Sequence, residues 1–256
     1  HGLSRNRLYV RLPESDLGED KDFLLSPYLI GCLLGDGCLS QATVMLSTGD
    51  SEIHDNVRKE LDPKMIIKKT SGKYDYRITS DDRVMLRNIF NNELRRLNIK
   101  YKLSYEKFVP KEYLVGSRAQ RLAMLQGLMD TDGTVNEHHV VSFCSTSEQL
   151  AEDVQYLVRS LGGIARISQR IPQYTNSEGD KVDGRLAYQV NIRYKKPSDL
   201  FRLTRKKVRC NDDGQYCSDL KLRVKSITLV GKAQAQCISI DSVDHLYITD
   251  DFIVTH

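Results

Sequence analysis

No run of the 256-residue sequence stays apolar for the roughly 20 residues that a membrane-spanning helix needs, and no secretory leader is visible. A membrane or export role therefore has little to rest on, and the expectation is an intracellular protein that is not secreted. Cysteine is sparse and scattered. The six (Cys32, Cys38, Cys144, Cys210, Cys217 and Cys237) form no CxxC pair, which fits reduced thiols rather than a disulfide framework. Cys210 and Cys217 lack a second pair at zinc-like spacing. An excess of one charge is also missing: the net charge of +4 is too small to announce nucleic-acid binding by itself. The chain starts at His1 without an initiator methionine, as expected of a processed or excised fragment or of one carrying the scar of a tag.

What is present is unevenly distributed. Hydrophobic and charged fractions of 40% and 28% are ordinary for a globular protein. The length allows one large domain or two smaller ones. Basic residues dominate from Lys64 to Arg121 and again from Lys195 to Arg209, whereas acids gather in Glu14 to Asp22 and Asp241 to Asp251. Charge alone leaves two readings open: a positive face that attracts phosphates through counterion release, or a set of solvated lysines.

An internal repeat is the most informative feature. YLIGCLLGDGCLS, Tyr28 to Ser40, and RLAMLQGLMDTDGTV, Arg121 to Val135, share one design. Each is an apolar helix with a glycine five residues before an aspartate, and a glycine directly after it. Gly31, Asp36 and Gly37 match Gly127, Asp132 and Gly133. Downstream, Val44 to Leu61 parallels Val141 to Val158: a strand-like run, then a helix opened by a capping residue, Asp50 or Ser147. β-rich segments follow (MIIKKT and YDYRITS; IARISQRI and LAYQVNIRY), and a further helix closes each half, Asp82 to Leu97 and Pro197 to Leu203. The unit reads helix, two strands, helix, two strands, helix, and it occurs twice.

Two such units predict pseudo-twofold halves that meet along the matching helices. Gly31, Gly35 and Gly127 remove side-chain bulk so that two backbones can approach, and Gly37 and Gly133 suit the point where the chain leaves each helix. That symmetry brings Asp36 and Asp132 together beside two helix C-termini. Negative charge is unfavourable there without a cation. A hard ion that prefers oxygen ligands, Mg²⁺, fits such a site, and a metal there could hold a phosphate and activate water.

These residues resemble the two signature motifs of the LAGLIDADG homing endonucleases, over roughly Asp22 to Arg209. The resemblance implies an α+β protein in which two αββαββα repeats form a saddle on duplex DNA, and a metal-dependent endonuclease that cuts both strands of a long target as a monomer. By it, Asp36 and Asp132 are the metal-binding catalytic acids. The residues before them, Gly35 and Thr131, are further metal contacts, and Gly35 stands where many members carry a side chain. Asp130 has a packing or capping role. Lys107, in EKFVPKEY, and Lys207, in RKKVR, with Lys206 as its near neighbour, complete the catalytic set, able to polarise water or balance charge on the phosphate. Strand side chains read DNA: Arg77 in the first sheet, and Arg166, Gln169, Arg170, Gln189, Asn191 and Arg193 in the second, the faces depending on register.

The last segment, AQCISIDSVDHLYITDDFIVTH, belongs to neither repeat. It resembles the C-terminal splicing block of inteins, with His245 and the penultimate-type His256, although the asparagine expected after His256 is missing. GLSRNRLYVRLPES resembles the end of an intein's N-terminal splicing segment. The implied organisation is an N-terminal splicing remnant or linker (1–22), a first repeat (23–118), a second repeat (119–218) and a β-rich Hint-type splicing segment (219–256). Splicing would then need a partner chain supplying an N-terminal fragment. The tail's wording also resembles inteins lodged in phosphate-binding loops of helicases and related ATPases. Two alternatives to an active endonuclease are a splicing element with a non-cutting scaffold and a DNA-binding regulator using the same saddle. Both motif acids are intact, which favours the enzyme.

Overall fold

The computed structural model describes residues 8–13, 18–80, 85–214, 220–234, 236, 238–241, 243 and 245–255. A short strand β1 (Tyr9–Val10) precedes the first unit. That unit runs α1 (Pro27–Gly35), β2 (Gly37–Cys38), β3 (Met45–Ser47), α2 (Ser51–Glu60), β4 (Met65–Lys69), β5 (Asp75–Ser80) and α3 (Met85–Arg96). A connector carrying the one-turn helix α4 (Lys111–Leu114) leads to the second unit. It consists of α5 (Arg118–Thr131), β6 (Gly133–Val135), β7 (Val141–Ser145), α6 (Glu148–Ser160), β8 (Ile164–Arg170), a hairpin of β9 (Gln173–Thr175) and β10 (Lys181–Asp183), β11 (Ala187–Arg193) and α7 (Thr204–Lys207). Three short strands follow: β12 (Leu222–Arg223), β13 (Tyr247–Ile248) and β14 (Val254–Thr255).

The two four-stranded sheets share one strand order, β2-β3-β5-β4 and β6-β7-β11-β8, and every neighbouring pair is antiparallel. The β9–β10 hairpin is an addition to the second unit that periodicity did not reveal. The fold is α+β, with antiparallel sheets each covered on one face by helices.

Local chemistry explains the elements. Ser26 caps α1 by accepting from the Leu29 N–H, and Pro27 occupies the first helical turn. Ser117 and Gln120 form a capping box on α5. Asp50 and Ser147 cap α2 and α6 as the sequence pattern indicates. α1 is buried from Tyr28 to Leu34, as expected of a helix that is apolar all round. It packs against α5 through Met124, Leu125, Leu128 and Met129, which are also buried. A Cβ built on Gly31 would lie 2.4 Å from the Met124 carbonyl oxygen and 3.0 Å from the Gly127 Cα. The reverse holds for Gly127, whose Cβ would lie 2.3 Å from the Tyr28 carbonyl oxygen. The two helices therefore touch backbone to backbone. Around them, Leu46, Met65 and Ile78 of the first sheet and Phe143, Val190 and Ile192 of the second face inward to the core. No helix among the described residues is long and apolar enough to cross a membrane.

Candidate active site and nucleic-acid interface

Both helices end on their aspartates. The Asp36 N–H donates to the Cys32 carbonyl and the Asp132 N–H to the Leu128 carbonyl, each at 3.0 Å. The chain then turns directly into β2 and β6. The two carboxyls lie partly buried and close enough to influence each other. Asp132 is pushed up to about 6, mainly by burial and then by the charge of Asp36, with Lys107 and Lys206 opposing. Burial also raises Asp36, against the pull of Lys206 and Lys107.

Two lysines complete the centre, and both are buried, Lys107 with 6% and Lys206 with 5% of its surface exposed. The Lys107 ammonium donates to the carbonyls of Gly35 and Gly37, each at 2.9 Å. The Lys206 ammonium has four carbonyls within reach of its three N–H groups, those of Thr131 (3.2 Å), Gly133 (2.6 Å), Met129 and Asp130. Gly35 corresponds to Thr131 and Gly37 to Gly133, so the two lysines occupy matching places. Each neutralises the carbonyl end of its own half's helix. Across the axis, Lys107 feels Asp132 more than Asp36, while Lys206 feels Asp36 more than Asp132. Burial lowers both lysines, Lys206 to about 8 with help from Arg205.

Lys207 does not join this group. It is exposed at the end of α7. Successive helical residues point about 100° apart, so only one of the adjacent lysines can enter the centre, and it is Lys206. A usable signal existed: Lys206 lies one residue nearer than Lys207 to the aspartate-to-lysine spacing of the first half.

Asp130 is fully buried. It accepts from the Tyr28 hydroxyl (2.7 Å) and from the N–H groups of Arg202 and Leu203 (3.0 Å each), while the Arg202 guanidinium lies 3.9 Å over the Tyr28 ring. The residue therefore ties α1 and the segment before α7 to α5.

Among the described residues, no three His, Cys, Asp or Glu side chains converge to hold a metal. Asp36 and Asp132 contribute two hard carboxylates whose ionised forms are disfavoured together. Gly35 has only its backbone carbonyl to offer, and the Thr131 hydroxyl donates to the Gly127 and Leu128 carbonyls, which leaves Thr131 its backbone carbonyl. This donor set suits an ion that keeps several waters, such as Mg²⁺, and not zinc. Cys210 instead donates its thiol to the Lys206 carbonyl, and Cys217 lies outside the described residues.

Strand register assigns the DNA-reading candidates to faces. In the second sheet Asn191 sits opposite Arg166 and Ser142, Gln189 opposite Ser168 and Cys144, and Ala187 opposite Arg170. Arg193 shares this face, which alternates away from the core residues Val190 and Ile192. Arg166, Arg170, Gln189, Asn191 and Arg193 thus line one surface, joined by Thr134, Ser142 and Ser168, which the sequence reading missed. Gln169 does not belong there: it pairs with Tyr188 and shares the parity of Ala165 and Ile167, on the side of α6. A one-residue step reverses the face. In the first sheet Arg77 is exposed and sits opposite Lys68 and Met45, so Lys68 is a further missed candidate.

Residues 119–201 match a LAGLIDADG-like domain. That is the family model matched, and its span runs from α5 to the turn before α7. The chain is also similar to the replicative DNA helicase DnaB of Mycobacterium intracellulare, at 30% identity over 241 residues, 93% of this chain and 36% of that protein. It is 22% identical over 187 residues to the homothallic switching endonuclease of Saccharomyces cerevisiae, 64% of this chain and 32% of that protein. The chain spans about a third of these relatives' length. A crystal structure of I-DmoI in complex with DNA and Mn covers 65% of this chain and 87% of that one, at 18% identity and a TM-score of 0.38.

Beyond the second unit the chain folds back over it. Phe252 packs edge-on against Tyr156 of α6 at 4.9 Å, and Asp251 pairs with Arg159 of the same helix. His245 is exposed and takes a left-handed backbone, φ +54°. His256 lies outside the described residues. β13 pairs with β14 and β1 with β12, but residues 238–240, in the strand-like CISI run, form no strand.

Proposed function

We propose that this chain is a site-specific homing endonuclease associated with an intein, which hydrolyses both strands of a long duplex DNA target. Its relationship to DnaB proteins supports a replicative helicase as the intein's host. One observation carries the reading: two matching aspartate–lysine pairs meet at the ends of two glycine-packed helices, with a polar, basic strand face on either side.

Asp36 and Asp132, with the carbonyls of Gly35 and Thr131, would hold Mg²⁺. Bound there, the metal supplies positive charge to the scissile phosphate and lowers the pKa of a coordinated water. The protein's own contribution is placement. Lys107 and Lys206 keep positive charge beside the two carboxyls without occupying them, where developing negative charge on a phosphate would be stabilised. Arg77 and Lys68 on one side, and Arg166, Arg170, Gln189, Asn191 and Arg193 on the other, offer hydrogen bonds and charge to phosphates and base edges. Two half-sites in one chain allow a monomer to cut two strands. The segments outside residues 23–218 belong, in this reading, to a splicing domain whose N-terminal fragment comes from elsewhere.

The test is a plasmid carrying the uninterrupted insertion site, incubated with Mg²⁺ or with chelator. Linearisation is expected only with metal, and Asp36→Asn or Asp132→Asn is expected to abolish it. Full cutting by the double aspartate variant would overturn the mechanism. DNA that is bound but never cut by the intact protein would favour a non-cutting scaffold or regulator.

A further inference from the structure

Each buried lysine sits on a segment held by the opposite half of the molecule, Lys107 in the connector before α4 and Lys206 in α7. The Ser147 hydroxyl, which caps α6, donates to the carbonyl of Lys107 itself at 2.6 Å. Two residues on, the Val109 N–H donates to Asp153 of α6 at 2.7 Å, a bond buried from solvent. Asp153 is itself 5% exposed and is braced by Gln149 (3.1 Å). Thus the segment carrying the first-half lysine is gripped at two points by a second-half helix and its cap.

The second lysine repeats the arrangement with different chemistry. Asp50, the cap of α2 that matches Ser147, accepts from the Arg205 guanidinium at 2.6 Å. Glu52 accepts from the Thr204 N–H (2.9 Å) and hydroxyl (2.8 Å). Residues 204 and 205, immediately before Lys206, are therefore gripped by a first-half helix. We propose that Ser147 and Asp153 position Lys107, that Asp50 and Glu52 position Lys206, and that these crossed clamps set the cutting rate of each DNA strand separately.

The strand-specific part of this inference rests on the endonuclease reading above; the positioning part does not. Two measurements separate them. Lysine acylation followed by mass spectrometry reads access to each ammonium in the absence of DNA. Asp153→Ala is expected to raise labelling of Lys107 but not Lys206, Glu52→Ala to do the opposite, and Asp153→Asn, which keeps an acceptor for the Val109 N–H, to restore protection. Unchanged labelling, or equal release of both lysines, would overturn the clamps even if a variant is less stable, because general loosening frees both.

The second measurement follows nicking of each end-labelled strand of a duplex carrying the uninterrupted insertion site, with Lys107→Met and Lys206→Met identifying the strand that each lysine serves. Asp153→Ala is expected to slow the Lys107 strand about tenfold to a hundredfold more than the other, and Glu52→Ala to reverse the bias. Equal slowing of both strands would overturn the strand assignment. Failure of the unaltered protein to nick either strand would overturn the endonuclease reading and the strand assignment with it, while the labelling result would still decide the clamps.

Discussion

At the scale of single residues, the centre is a compromise between burial and charge. Asp132 holds its proton up to about pH 6, first because it is buried and second because Asp36 repels its ionised form. A carboxyl whose folded pKa lies above its unfolded value contributes stability that is fully present below the unfolded value, near 3.8, and lost as pH rises through about 6. At pH 8 its ionisation opposes folding by about 3 kcal/mol. Asp132→Asn is therefore expected to raise the thermal midpoint at pH 8 in the absence of divalent metal, and to raise it only about a third as much near pH 4.5. An equal shift at both pH values would count against this account. The two acids were legible in the sequence because each is an anomaly, a carboxylate at the end of an apolar helix, and the anomaly repeats. Lys206 was less legible, because choosing between two adjacent lysines needs the helical phase of α7, a one-turn helix too short to show periodicity. Gln169 falls on the opposite face from the other strand candidates, because polarity does not reveal which face of a strand a residue occupies.

At the scale of elements, the decisive contact is α1 against α5. The repeated glycines made it readable from sequence, but their unequal roles did not emerge until the helices were placed. Gly31 and Gly127 face backbone, whereas Gly35 faces a side chain: a Cβ there would meet Thr131 Oγ1 at 1.9 Å and Thr131 Cβ at 2.5 Å. Glycine at 35 and threonine at 131 therefore form a complementary pair at positions that symmetry relates. Gly35→Ala is expected to destabilise the protein by roughly 1–3 kcal/mol through overpacking. Adding Thr131→Gly should recover part of that loss beyond what its own single effect predicts, measured as a double-mutant cycle in denaturant. Simple additivity would show that the two positions do not constrain each other. The order of elements along both halves followed from the repeat, but the β9–β10 hairpin did not, because it belongs to only one half and has no counterpart to reveal it.

At the scale of the whole molecule, the two sheets present their basic side chains on the faces turned away from the core. The net charge of +4 gives no hint of this; the arrangement depends on strand register, which places Arg166, Arg170 and Arg193 together and Arg77 beside Lys68. On the proposed endonuclease reading Lys68 contacts phosphate, and Lys68→Ala is expected to weaken DNA binding similarly on all sequences. The slope of log affinity against log salt should fall by about 1. Loss of discrimination at one base position, with an unchanged slope, would instead mark that side chain as a base reader. The outer segments bear on organisation in another way. β1 precedes both units and β12 follows them, yet Val10 lies opposite Leu222 in an antiparallel ladder, where paired Cα atoms sit about 4.5–5.5 Å apart. Everything between is a single excursion that leaves and returns at one point. A protein receiving such a segment in a surface loop needs to open by no more than one strand spacing, so its own two parts can remain neighbours while it carries a guest with a separate core.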